Sequence, residues 1–143
     1  MPIYPKPENF LFHVGQYFAA ELYYTEEGHL PAYEHYLTLE DVEKDRLKFL
    51  VKYFTDNPHG TLLPKTMYRI EDRENKIYAF KPGARRFFNF MAEGSKIILT
   101  NAYRKHSQKM MRQDLDKLRI AVKCKNDYLR RIKEGAYYEA LHG

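Results

Sequence analysis

Between residues 66 and 105 the chain alternates apolar runs with gaps too short for anything but tight turns. The runs are TMYRIED (66–72), KIYAFKPG (76–83), RRFFNFMAEG (85–94) and KIILTNAYRK (96–105). They are rich in aromatic and β-branched residues, and they are separated by Arg73-Glu74-Asn75, Pro82-Gly83-Ala84 and Ala92-Glu93-Gly94-Ser95. Connections this short can only join antiparallel neighbours, so this stretch reads as a strand meander. Phe88 and Phe90 share a face with Arg86 at the two-residue period, and Phe87 takes the other face.

Helices are read on both sides of the meander. Thr38 and Asp41 fit the start of a capping box. Leu39, Val42, Arg46, Phe49, Leu50, Tyr53 and Phe54 then recur at 3–4 spacing as a one-sided stripe, and Asn57-Pro58 and Gly60 stop it. A second helix is expected from about Met111 to about Glu134, with Leu115, Leu118, Val122, Leu129 and Ile132 as its buried side and Gly135 as its stop. Before these, FLFHVGQYFAAELYY (10–24) suggests one or two strands around Gly15, and PAYEHYLTL a short helix. The order implies an α+β domain: an antiparallel sheet of four to five strands, helices packed on one face, and a C-terminal helix.

At 143 residues the chain fits a single domain. No apolar run nears the roughly 20 residues of a membrane helix. The prolines and glutamate of MPIYPKPENFLFHVG do not suit a signal peptide. The lone Cys124 cannot build a disulfide framework, so a cytoplasmic protein is the expectation.

Charge is unevenly placed. Residues 81–133 hold 15 Lys and Arg against 4 Asp and Glu, a net of +11, while residues 1–80 hold 9 against 13, a net of −4. Such a field attracts a polyanion or an acidic partner. Nucleotide-driven and metal chemistry lack their motifs: there is no Gly-rich phosphate loop, and the six His show no ligand spacing. No cofactor is called for.

What remains is the basic, aromatic-flanked set at the end of the meander. Lys81, Arg85, Arg86, Arg104, Lys105, Lys109 and Arg112 alternate with Tyr78, Phe80, Phe87, Phe88, Phe90 and Tyr103. Cations hold phosphates and exposed rings stack on unpaired bases, which is what RNA recognition requires. Most of the Phe side chains are expected in the core, which leaves Tyr103 as the stacking candidate. Cleavage through the ribose 2′-OH needs a proton acceptor, a proton donor and cations around phosphorus, and no metal. His106, or a Lys crowded by other cations, suits proton transfer, and an Arg can clamp the phosphate.

The run from Lys76 to Arg131 resembles the C-terminal half of RelE/HigB-type toxins, the ribosome-associated mRNA interferases of toxin–antitoxin pairs and their phage-derived relatives. In that pattern AFK with Lys81 stands where the family has a strand ending in E-L-R, and Arg86 stands at the Y-R strand. YRKHSQKMM matches the basic turn, with Tyr103, Lys105, His106, Ser107 and Lys109 in order, and Asp127-Tyr128 matches the end of the helix. His106 replaces the family's second Lys, and Met110-Met111 replaces Thr-Pro. The resemblance implies a RelE-like sheet over 66–134, with 1–35 as an N-terminal extension. It implies metal-independent endoribonuclease activity on mRNA at the ribosome, with a cognate antitoxin as partner. Arg86, Lys105, His106 and Tyr103 would form the catalytic set, and Lys81, Arg85, Arg104, Lys109 and Arg112 would hold the RNA backbone. Two other readings stand beside it: a non-catalytic RNA- or ribosome-binding module, and a protein-interaction domain for an acidic partner.

Overall fold

The computed structural model describes residues 10–58 and 63–138. In chain order the elements are β1 (Leu11–Val14), β2 (Ala19–Leu22), α1 (Pro31–Tyr36), α2 (Asp41–Thr55), β3 (Tyr68–Asp72), β4 (Ile77–Phe80), β5 (Arg85–Ala92), β6 (Lys96–Arg104) and α3 (Arg112–Lys133). The strands form one sheet in the order β1-β2-β6-β5-β4-β3. The α+β class and the C-terminal helix agree with the sequence reading. The sheet has six strands rather than four to five, because residues 10–24 supply two that extend it beyond β6. It is also not wholly antiparallel, since β2 runs parallel to β6, with Ala20 beside Ile97 and Leu22 beside Leu99. A parallel pair requires a long crossover, and here everything from α1 to β5 lies between the two strands.

Helices cover both faces of the sheet, not one face as the sequence suggested. On one face α1 and α2 pack, with His35 edge-on to Phe87 and Phe54 edge-on to Phe80. On the other lies α3, where Tyr128 meets Phe90. Between the layers Ile77, Phe80, Ile97, Ile98 and Leu99 are fully buried.

Strand β6 contains a bulge. Phe87 pairs with Ala102 and Asn89 with Leu99, so Thr100 and Asn101 together oppose Phe88. Both bulge residues are buried. Thr100 Oγ1 donates to the Phe88 carbonyl at 3.3 Å, and Asn101 Nδ2 donates to the Lys117 carbonyl of α3 at 3.1 Å. Past the bulge the alternation is shifted by one, which places Tyr103 on the α3 face beside Phe88.

Both helix stripes differ from the sequence reading. In α2 the start is Glu40, whose backbone N–H is met by the Glu43 carboxylate at 3.2 Å. Thr38 instead donates its hydroxyl to the His35 carbonyl and closes α1. Leu47, Leu50, Val51 and Thr55 are buried, while Val42, Phe49 and Tyr53 are exposed. The helix ends at Thr55, where the Asn57 side chain donates to the Tyr53 carbonyl at 2.6 Å; Gly60 lies outside the described residues. In α3 the buried residues are Asp114, Ala121, Cys124, Tyr128 and Arg131, and Leu115, Leu129 and Ile132 are left exposed. The reason is polar pairing with Tyr23 and Tyr24, just after β2. Arg131 donates to the Tyr24 carbonyl at 2.7 Å and to Asp127 at 2.9 Å, and the Tyr23 hydroxyl donates to Asp127 at 2.5 Å. Asp127 is therefore part of this anchor and Tyr128 packs on Phe90, both far along α3 from the basic turn.

Candidate functional site

Adjacent residues of β5 point to opposite faces, and this separates the predicted cations. Arg85 faces α1 and α2, where its guanidinium bonds Glu43 at 3.2 Å and approaches His35 Nε2 at 3.2 Å. Arg86 faces α3. It pairs across the ladder with Tyr103, and its guanidinium donates to the Gly83 and Arg85 carbonyls at 2.9 and 2.8 Å. Gly83 turns the chain between β4 and β5 at a φ of 78°, a left-handed conformation that favours glycine.

On the α3 face a cleft of about 160 Å³ is lined by Arg69, Glu71, Lys81, Arg86, Phe88, Tyr103, Lys105, Gln108, Met110, Asp114 and Leu118. Three predicted cations meet there from three places in the chain: Lys81 just after β4, Arg86 on β5, and Lys105 just after β6. Asp114, in the first turn of α3, holds one of them, Lys105. Its carboxylate accepts from Lys105 Nζ at 2.8 Å, from the Tyr103 hydroxyl at 2.5 Å and from the Met111 N–H at 2.7 Å. Burial alone would raise the Asp114 pKa, but these hydrogen bonds outweigh it and hold the carboxyl below its usual range. Lys105 also donates to the Lys109 carbonyl at 3.3 Å, so its ammonium is fixed at the cleft wall.

Lys81 is the cation whose basicity changes in a chemically useful direction. Burial lowers its pKa, and the nearby Arg86 and Arg69 charges lower it further. Its ammonium also reaches the Lys65 carbonyl at 3.2 Å. Burial likewise lowers the Arg86 pKa, although guanidinium stays charged at any physiological pH.

One expected placement, that of Tyr103 as an exposed ring, is corrected. Tyr103 is 5% exposed and lies flat against Phe88, with ring centroids 5.7 Å apart and planes at 22°. With its hydroxyl committed to Asp114, it cannot present a face to a base. Burial and the hydrogen bond to Asp114 push its hydroxyl pKa far up, so the hydroxyl holds its proton. His106 is exposed on the loop after β6 and does not line the cleft. Arg104, Lys109 and Arg112 are exposed and also lie outside the lining, and Arg85 is on the opposite face.

No family model and no curated protein matches the chain.

Arg69, Glu71 and Asp114 complete the cleft and were not singled out from the sequence. Asp114 did carry a signal, being the only acidic residue between Glu93 and Asp116 in the basic segment. Among the described residues no group of three or more His, Cys, Asp or Glu could hold a metal ion, and no helix is long and apolar enough to cross a membrane. Chemically, the cleft offers fixed and partly desolvated cations to a small anionic group, with one amine that gives up its proton more readily than a free Lys.

Proposed function

We propose that this protein is a toxin-like endoribonuclease, a cytoplasmic mRNA interferase of a toxin–antitoxin pair. It would cut mRNA without a metal on the ribosome, with a cognate antitoxin protein as its partner. The observation that carries the reading is the convergence of Lys81, Arg86 and Lys105 on one cleft, with the Lys81 pKa lowered. In this reading Lys81, in its neutral form, accepts the 2′-OH proton. The 2′-oxygen attacks phosphorus, and Arg86 clamps the non-bridging oxygens as charge builds. Lys105, oriented by Asp114, supplies the proton to the departing 5′-oxygen. The products are a 2′,3′-cyclic phosphate and a free 5′-hydroxyl.

A second reading, an RNA-binding module that does not cut, is favoured by the position of His106 outside the cleft and by the engagement of Tyr103 with Asp114. One experiment separates the two. Purified protein is added to ribosomes translating a defined mRNA, and 5′ ends are mapped by primer extension. New ends should appear within the reading frame. Lys81→Ala should cut about 10²-fold more slowly or worse, and Arg86→Ala/Lys105→Ala should abolish cutting. Intact mRNA with retained ribosome binding would establish the non-catalytic reading, and full cutting by the double variant would overturn the site.

A further inference from the structure

The stripe that the sequence marks as the buried side of α3 is largely not buried. Leu115, Leu129 and Ile132 are 42%, 47% and 39% exposed. Leu118 and Val122 are half-buried, and Lys125 holds the remaining slot, its amine donating to the Asn75 carbonyl at 2.5 Å. The steps along this stripe run three, four, three, four, three, which is the a/d spacing of a coiled-coil seam. The buried stripe lies roughly 100° around the helix from it. Leu115 to Ile132 spans about 25 Å at the helical rise of 1.5 Å per residue, enough for a partner helix to run alongside.

Charge identifies the kind of occupant. The positions flanking the seam on its open side are Arg112, Arg119, Asn126 and Lys133, all exposed. Arg112–Lys133 carries 8 Lys and Arg against 3 Asp and Glu, a net of +5. A second copy of α3 would set like charges side by side, whereas a helix with acidic e and g positions would meet the basic flank with opposite charge. We infer that the Leu115–Ile132 face of α3 is a docking seam for an amphipathic helix with acidic flanks, supplied by a partner protein. This does not depend on whether the cleft cuts RNA.

The test uses a fluorescein-labelled three-heptad peptide with Leu at a and d and Glu at e and g, against a matched peptide with Lys at e and g. Fluorescence anisotropy with the full-length protein should show micromolar binding of the Glu peptide and at least about tenfold weaker binding of the Lys peptide. Leu115→Ser/Leu129→Ser should weaken the Glu peptide at least about tenfold, while Val42→Ser/Phe49→Ser, on the exposed side of α2, should leave it unchanged. Methyl NMR on the unmodified protein gives a readout free of any folding defect: the peptide should shift Leu115, Leu129 and Ile132 but not Leu11 or Leu37. Equal binding of the two peptides, shifts elsewhere, or a dimer in sedimentation that Leu115→Ser/Leu129→Ser dissolves would each overturn the assignment.

Discussion

Asp114 shows how much one carboxylate can organise. It holds Lys105 and Tyr103 in place and satisfies the Met111 N–H at the start of α3. Its side chain is 5% exposed and that of Lys105 is 15%, so removing the charge leaves an ammonium poorly solvated. Asp114→Asn should lower stability at neutral pH by about 2 kcal/mol, read from urea unfolding. The pH dependence follows from the direction of the shift. The folded carboxyl pKa lies below its unfolded value of about 3.9, so its contribution is complete above that value and is lost as pH falls through the folded pKa. The gap between wild type and Asp114→Asn should therefore close in strong acid. A gap that stays constant down to pH 2 would show that the hydrogen bonds do not favour the ionised form.

At the scale of elements, the β1–β2 turn is tightly packed against the end of α2. A Cβ on Gly15 would sit 2.4 Å from Thr55 Oγ1 and 2.5 Å from the Thr55 carbonyl carbon. The Thr55 carbonyl accepts from the Tyr17 and Phe18 N–H groups at 2.8 and 3.1 Å, so the end of α2 has little freedom to retreat. Gly15→Ala should cost about 1–3 kcal/mol in thermal or urea unfolding, and an unchanged midpoint would refute the close approach. The meander was legible from the sequence because its turns are short and its period is two. The helix positions were legible from their 3–4 period and their breakers, but the cap of α2 and the buried faces were not. A 3–4 pattern fits two stripes about a third of a turn apart, and the choice between them is made by what the sheet offers. For α3, Tyr23 and Tyr24 offer hydrogen-bond partners, so Asp127 and Arg131 go in and Leu115 and Leu129 stay out. The cleft was half legible: Lys81, Arg86, Tyr103 and Lys105 were singled out as a basic, aromatic set. The bulge at Thr100 and Asn101, which fixes the face on which Tyr103 lies, leaves no mark in a pattern of apolar residues.

Across the whole molecule, the first 80 residues carry a net −4 and residues 81–133 a net +11. An RNA strand on the α3 side should release counterions as phosphates pair with cations, giving a slope of log K against log salt of about −0.7 per contact. Replacing Arg86 and Lys105 together with Ala should flatten that slope by about 1.4, measured by anisotropy with a short single-stranded RNA. An unchanged slope would place the RNA elsewhere. The parallel pairing of β2 with β6 also dictates an order of assembly. During synthesis, β1 and β2 leave the ribosome long before the strand they join, and that strand sits at the centre of the sheet. Contacts between residues this far apart in sequence form late and slowly. The cleft draws on Lys81, Arg86, Lys105 and Asp114, so it is complete only after the first turn of α3 has emerged. A nascent chain that stops before Lys96 lacks the strand on which both halves of the sheet depend, and it carries none of the assembled site.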